Sequence, residues 1–172
     1  VIGCIASLTQ HKGHRYLLEA IQKIDDVYLL LIGDGPLRRK LADKASTLNI
    51  ANRVVFAGSQ IEATPYMHIM DIVVLSSAER EGLGISLIEA MALSKPVVAT
   101  KIGGIPEVMD DGRTGILLSP RDSDELANAL HKLLMSAELM RDLGLQGRKR
   151  YIEMFTLTTM LRRIEELYEG CK

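Results

Sequence analysis

The sequence predicts an α/β protein: a Rossmann-like doubly wound domain of about six parallel strands, with helices on both faces and an extended helical C-terminus. Three observations carry this. Short apolar runs alternate with amphipathic stretches of helical period. Each junction between them carries glycine or proline. No hairpin turn joins neighbouring apolar runs, so successive strands need crossovers and lie parallel.

Val1 to Ala6 reads as the first strand, and Tyr16, Leu17, Ala20, Ile21 and Ile24 then mark one stripe of a helix. Val27 to Ile32 is a continuous β-branched and leucine run, the pattern of a strand covered on both faces. Leu37, Leu41, Ala45 and Leu48 define the next helix, with Pro36 suited to its first turn. Val54 to Ala57 is a short strand, Tyr66 to Met70 part of a helix, and Ile72 to Leu75 a strand. Ile85 to Leu93 is helical and almost wholly apolar; Pro96 to Ala99 and Gly115 to Leu118 are the remaining strands. From Asp122 the pattern is helical, with a break expected near Gly144 to Gly147 and another at Phe155-Thr156. Thr156 is positioned to cap a last helix, Leu157 to Tyr168.

Composition narrows the function. The chain has 172 residues, 47% hydrophobic and 25% charged, with a formal net charge of -1, which suits one ordinary domain, residues 1-172. That charge gives no basic footprint for nucleic acid. The longest apolar runs fall far short of the roughly 20 residues that cross a bilayer. With only Cys4 and Cys171, a disulfide framework is not expected, and a reducing, cytoplasmic compartment fits. The chain opens inside an apolar strand without an initiator Met or signal peptide, which reads as a domain from a longer protein.

In a doubly wound sheet the ligand lies outside the carboxyl ends of the strands, so the strand-to-helix loops are the candidate site. Four share one character: Ser7 to Gly13, Gly33 to Pro36, Ser76 to Gly84, and Thr100 to Glu107 with Gly103-Gly104. Glycine lets backbone amides approach a ligand, and a helix N-terminus favours an anion. In any single loop these glycines are explained by turns; all four together with the cation Lys12 point to a phosphorylated ligand. Glu89 lies on a helix whose neighbours are nearly all apolar, so it is expected to be partly buried beside a hydrogen-bond donor: a ribose diol, a backbone amide or an arginine. Glu81, at the mouth of the same helix, reads equally as an acceptor for sugar hydroxyls or as a solvated charge at the helix dipole.

Other features are structural by this reading. His11, His14, His68 and His131 are scattered and form no metal-ligand pattern, although His11 beside Lys12 is within reach of a phosphate. The methionines read as core filling, and Arg148-Lys149-Arg150 as a solvated helix face. Lys12 precedes its glycine, so there is no Walker-type loop. A glycosidase pair of carboxylates is disfavoured because the surrounding loops suit anion binding.

The segment Glu81 to Ala92, followed by Lys95-Pro96-Val97-Val98-Ala99-Thr100, resembles the Glu-x7-Glu signature of retaining glycosyltransferases of the GT-B fold, the glycosyl transferases group 1 family. The likeness extends through Lys12-Gly13, Gly33-Asp34-Gly35-Pro36, Arg53 to Gly58, Gly103 to Glu107 and Gly112 to Leu118. It implies the C-terminal, nucleotide-sugar-binding half of such an enzyme, whose N-terminal acceptor domain is absent. Lys12 and Glu81 would be catalytic, Lys12 holding the donor diphosphate and Glu81 the transferred sugar, near amides of Gly82, Leu83 and Gly84. Glu89 would bind the ribose and the segment around Gly58 and Ser59 would lie near the base. Ser7, Gly13, Gly33 and Gly35 complete the donor-binding loops. Ser7 stands where the family often has an arginine, and Arg80 is a candidate substitute for that charge. The resemblance implies a nucleoside diphosphate sugar as donor, a glycan or lipid-linked acceptor, no metal and no further cofactor. It also implies a cytoplasmic setting, at the membrane face where the acceptor is lipid-linked. A sugar-nucleotide epimerase of related fold and a non-catalytic nucleotide-binding module are the alternatives.

Overall fold

The computed structural model describes residues 1–170; Cys171 lies outside them. Six strands form one sheet: β1 (Ile2–Ile5), β2 (Leu29–Ile32), β3 (Val54–Gly58), β4 (Ile72–Leu75), β5 (Val97–Thr100) and β6 (Ile116–Leu118). Their order is β3-β2-β1-β4-β5-β6 and every pairing is parallel, as the sequence predicts. The order reverses between β1 and β4, which makes the crevice beyond their carboxyl ends the topological switch point.

The inner strands β2 and β4 are apolar and buried throughout because both faces are covered, whereas the edge strand β3 leaves Val55 exposed. Alternate residues serve opposite layers. Leu29, Leu31, Ile72 and Val74 face α1 (His14–Gln22), α2 (Arg38–Thr47) and α6 (Ser123–Leu134), packing with Leu17, Ile21, Leu41 and Leu130. Leu30, Ile32, Val73 and Leu75 face α3 (Thr64–His68), α4 (Ile85–Ala92), α5 (Ile105–Val108) and α7 (Ala137–Met154), packing with Met67, Leu87, Met91, Ile105 and Tyr151. The methionines divide: Met67, Met70, Met91 and Met109 are buried, whereas Met135 and Met160 are exposed. Pro36 occupies the turn leading into α2.

Helix ends are held by specific side chains. Arg53 donates to the carbonyls of Ile21 and Ile24 at the end of α1, and Lys95 to those of His68 and Met70 after α3. Arg148 donates to Ala92 O at the end of α4, and Arg150 to the Glu107 and Val108 carbonyls of α5 and to Asp110. These cations complement both the unpaired carbonyls and the negative helix ends. The expected solvated face at 148–150 is thereby corrected: only Lys149 fits that description, paired along the helix with Glu153.

The expected break at Gly144 to Gly147 is also absent. α7 runs through both glycines, and the helical stretch divides earlier, at Met135-Ser136, where Ser136 Oγ accepts from Leu139 N at 3.2 Å. Packing overrides propensity here: both glycines are buried where α7 crosses α4 and the turn after it. Thr156 caps α8 (Leu157–Gly170) as predicted, accepting from Thr159 N at 3.2 Å.

The two glycines predict opposite outcomes from one substitution. A Cβ on Gly144 would sit 2.1 Å from Ser94 O, whereas one on Gly147 would first meet the flexible Met91 at 3.3 Å. Gly144→Ala is expected to lower the unfolding free energy even though alanine gains up to about 1 kcal/mol of helix propensity. Gly147→Ala is expected to be near neutral. Urea unfolding of both variants checks the difference.

Candidate functional site

The loops after β1 and β4 meet at the switch point and are stitched together by main-chain contacts. Ala78 N donates to His11 O at 2.7 Å, and Ser76 Oγ to Lys12 O at 3.3 Å. Gly13 adopts φ 66° and lies so close that a Cβ would stand 2.0 Å from Ser76 O. The β5 loop closes from the other side. A Cβ on Gly103 (φ 56°) would stand 1.9 Å from Glu81 O, and Gly104 N donates to Gly82 O at 3.0 Å. Thr100 Oγ1 donates to Ser77 O at 2.6 Å, and Arg121 Nε to Ala78 O at 3.1 Å. Glycine at positions 13 and 103 is therefore dictated both by left-handed backbone and by contact with a neighbouring carbonyl.

This frame brings Lys12 and Glu81 together across 69 residues of chain, Nζ to Oε2 at 2.6 Å. Their side chains are 18% and 9% exposed. Ser77 Oγ, fully buried, donates to the same oxygen at 2.6 Å, and Gly82 N donates to Oε1 at 3.1 Å. Burial alone would push the Glu81 carboxyl up. The hydrogen bonds from Lys12 and Ser77, the Lys12 charge and the Gly82 amide together outweigh it and hold Glu81 below the ordinary carboxylate value. An ionised carboxylate and a lysine thus line the switch point, beside a depression of about 350 Å³ walled by His11, Arg80, Glu81 and Gly82. Such a set can hold a polar ligand through both an acceptor and a cation.

The other predicted residues are placed as follows. Ser7 is exposed, its hydroxyl 3.3 Å from that of Thr9. Gly33 and Gly35 sit in close contact with Ala6 O and Leu8 O, which draws the β2 loop against the β1 loop. Gly58 O accepts from Gly33 N at 2.8 Å, and the adjoining Ser59 is exposed. Leu83 is exposed, and Gly84 caps α4.

Glu89 overturns its expectation: it is exposed and has no hydrogen-bonding or ionic partner among the described residues. α4 buries Leu87, Ala90 and Met91, and the opposite stripe carries Glu89 with Ile85, itself 69% exposed. The apolar character of the helix therefore does not translate into burial of its carboxylate. Glu89 lies more than a turn beyond Gly84 and does not touch the Lys12–Glu81 pair.

Sequence reasoning passed over Ser77, since one serine at the end of an apolar run carries no signal of its partner. It also treated His14 as one of several scattered histidines. His14 is buried, with Nε2 3.7 Å from Cys4 Sγ and Nδ1 unpartnered among the described residues. Burial first, then the charges of Lys12 and His11, lowers it to about 4, while burial raises the Cys4 thiol to about 12. Both are neutral at pH 7. No group of three potential metal ligands occurs among the described residues.

The architecture and the switch-point pair define a doubly wound domain whose polar edge at the switch point is built from the β1, β4 and β5 loops. Residues 1–136 match the family described as glycosyl transferases group 1, and the chain belongs to that family. It is 36% identical over 167 residues to N-acetyl-alpha-D-glucosaminyl L-malate synthase of Bacillus anthracis, covering 95% of this chain and 44% of that protein. The structure of Anabaena Alr3699/HepE in complex with UDP superposes with a TM-score of 0.94 at 27% identity, over 98% of this chain and 48% of that one. The C-terminal domain of a glycosyl transferase group 1 family protein, LpcC of Francisella tularensis, matches with a TM-score of 0.82 at 26% identity, over 91% of this chain and 86% of that domain. The chain thus spans about half the length of the curated relative and of the Anabaena protein.

The depressed Glu81 carboxyl has a pH signature. Its contribution to stability is fully present above the ordinary value of 4.5 and is lost as the pH falls through the lower folded-state value. Chemical unfolding followed from neutral pH into this acid window is expected to show a loss that Glu81→Gln abolishes.

Proposed function

We propose that this chain binds a nucleoside diphosphate sugar and forms the C-terminal, donor-binding half of a retaining glycosyltransferase acting on a glycan or lipid-linked acceptor. The observation that carries the reading is the Lys12–Glu81 pair at the topological switch point, locked by the glycines of two neighbouring loops. Family membership supports it, as does the likeness to a protein solved with UDP and with UDP-glucose. The assignment to a C-terminal half is supported by the match to LpcC and by the half-length coverage of relatives.

In this reading Lys12 exchanges its partner Glu81 for the diphosphate. Its ammonium neutralises the charge that develops as the bond between the anomeric carbon and the diphosphate oxygen breaks. Glu81, still held by Ser77 and the Gly82 amide, then accepts hydrogen bonds from hydroxyls of the sugar. The amides of Gly82, Leu83 and Gly84 approach the sugar and phosphates, while Ser7, Gly13, Gly33 and Gly35 shape the adjoining loops. Gly58 and Ser59 border the base. Glu89, exposed and without a protein partner, is free to accept from a ribose diol, so its accessibility supports this role where burial does not. The reading assigns no metal or cofactor beyond the donor. The acceptor wall belongs to the other half of the full-length enzyme.

Titration of the chain with UDP, GDP and ADP tests the reading directly; no binding of any of the three at millimolar concentration sinks it. Lys12→Ala is expected to weaken the nucleoside diphosphate that binds by about tenfold or more while leaving the nucleoside unaffected, the size of one charge-assisted contact. Equal loss for both ligands contradicts the phosphate role. Glu89→Ala is expected to weaken a ribonucleoside diphosphate more than its 2′-deoxy counterpart, measured by calorimetry.

A further inference from the structure

We infer that Arg80 is the second cation of the diphosphate site, an assignment that rests on the donor reading above. Charge balance leads to it. Lys12 and Glu81 are paired at 2.6 Å with both side chains mostly buried, so together they offer a dianionic diphosphate no net attraction. Position 7, on the opposite loop, contributes only a hydroxyl. Arg80 stands immediately before Glu81 and walls the same depression, with His11 and Gly82. It is exposed and forms no ion pair with any described residue. Of the two carboxylates adjacent to it in sequence, Glu79 faces Arg121 at 3.5 Å and Glu81 is paired with Lys12 at 2.6 Å.

The loop beneath Arg80 is fixed before any ligand arrives. Ala78 is held by His11 O on one side and by Arg121 on the other, and the backbone at 81–82 is held by Gly103 and Gly104. Arg80 therefore projects a guanidinium from a short, anchored span, with only its own side chain to order on binding. Its planar fork suits two phosphate oxygens at once, a geometry that a lysine does not reproduce. Arg80 gives the depression net positive charge while Lys12 is still bound to Glu81. It thus provides initial attraction, and Lys12 joins the diphosphate as the pair opens.

The test is calorimetry of the 172-residue chain at about pH 8, where free imidazole is neutral, with UDP, GDP and the corresponding nucleosides. Arg80→Gln is expected to weaken the diphosphate that binds by about tenfold, to leave the nucleoside unchanged, and to reduce the salt dependence of binding. Arg80→Lys is expected to recover the salt dependence but only part of the affinity. Lys40→Gln, which removes one charge from α2 outside the depression, is expected to bind as the unmodified chain does. Unchanged diphosphate affinity in Arg80→Gln overturns the assignment and leaves the donor reading intact. So does an equal loss of diphosphate and nucleoside, which would mean that the loop itself had moved. Failure of the unmodified chain to bind any nucleoside diphosphate removes both.

Discussion

The backbone from Ser76 to Gly82 is held between two neighbours that approach it closer than any side chain would permit. Gly13 presses on the Ser76 carbonyl from the β1 loop, and Gly103 on the Glu81 carbonyl from the β5 loop. Everything polar at the switch point depends on this. The span from Ser76 to Ala78 is solvent-excluded, with the Ala78 amide paired to His11 O and the Ser77 and Ala78 carbonyls to Thr100 and Arg121. Only because the span is fixed does Ser77 reach the Glu81 carboxylate, and only because the β1 loop is fixed against it does Lys12 reach the same oxygen.

A lysine and a glutamate so largely withdrawn from water are not there for stability alone. Desolvating both charges costs several kcal/mol, which the attraction between them offsets only with good geometry and further hydrogen bonds. Glu81 has those bonds in Ser77 and Gly82; Lys12 has no second side-chain acceptor among the described residues. The asymmetry matters chemically. If Lys12 departs, the carboxylate keeps two donors and stays oriented, whereas the ammonium is left to find a new anion. The pair is built so that one partner stays and the other can leave.

Much of this was legible in the sequence, for reasons that can be named. Val27 to Ile32 and Ile72 to Leu75 read as strands covered on both faces because no polar residue interrupts them. Loops rich in glycine and opening helices located the edge at which Lys12 and Glu81 meet. Three inferences failed where tertiary packing decides: Arg148 and Arg150 looked solvated, but they donate to the carbonyls that end α4 and α5. Gly144 and Gly147 looked like a helix break, but they make room for the chain after α4. Glu89 looked buried because its helix is apolar, yet the helix turns a stripe containing Ile85 to solvent. Neither the Ser77 contact nor the Lys12–Glu81 distance could be read from spacing, since each depends on how loops far apart in the chain come to rest.

The four cations at helix ends have a wider consequence. Helices in a parallel sheet run against the strands, so Arg53, Lys95, Arg148 and Arg150 all act at the rim remote from the switch point. One rim is thus sealed by long side chains gripping the carbonyls of helix ends, while the other is drawn together by the close approach of Gly13 and Gly103 and by the Arg121 and Thr100 hydrogen bonds. The cations that close the helix ends therefore stand at the opposite pole of the domain from the Lys12–Glu81 pair. Changes confined to the switch-point loops thus leave those four grips on the helix ends in place.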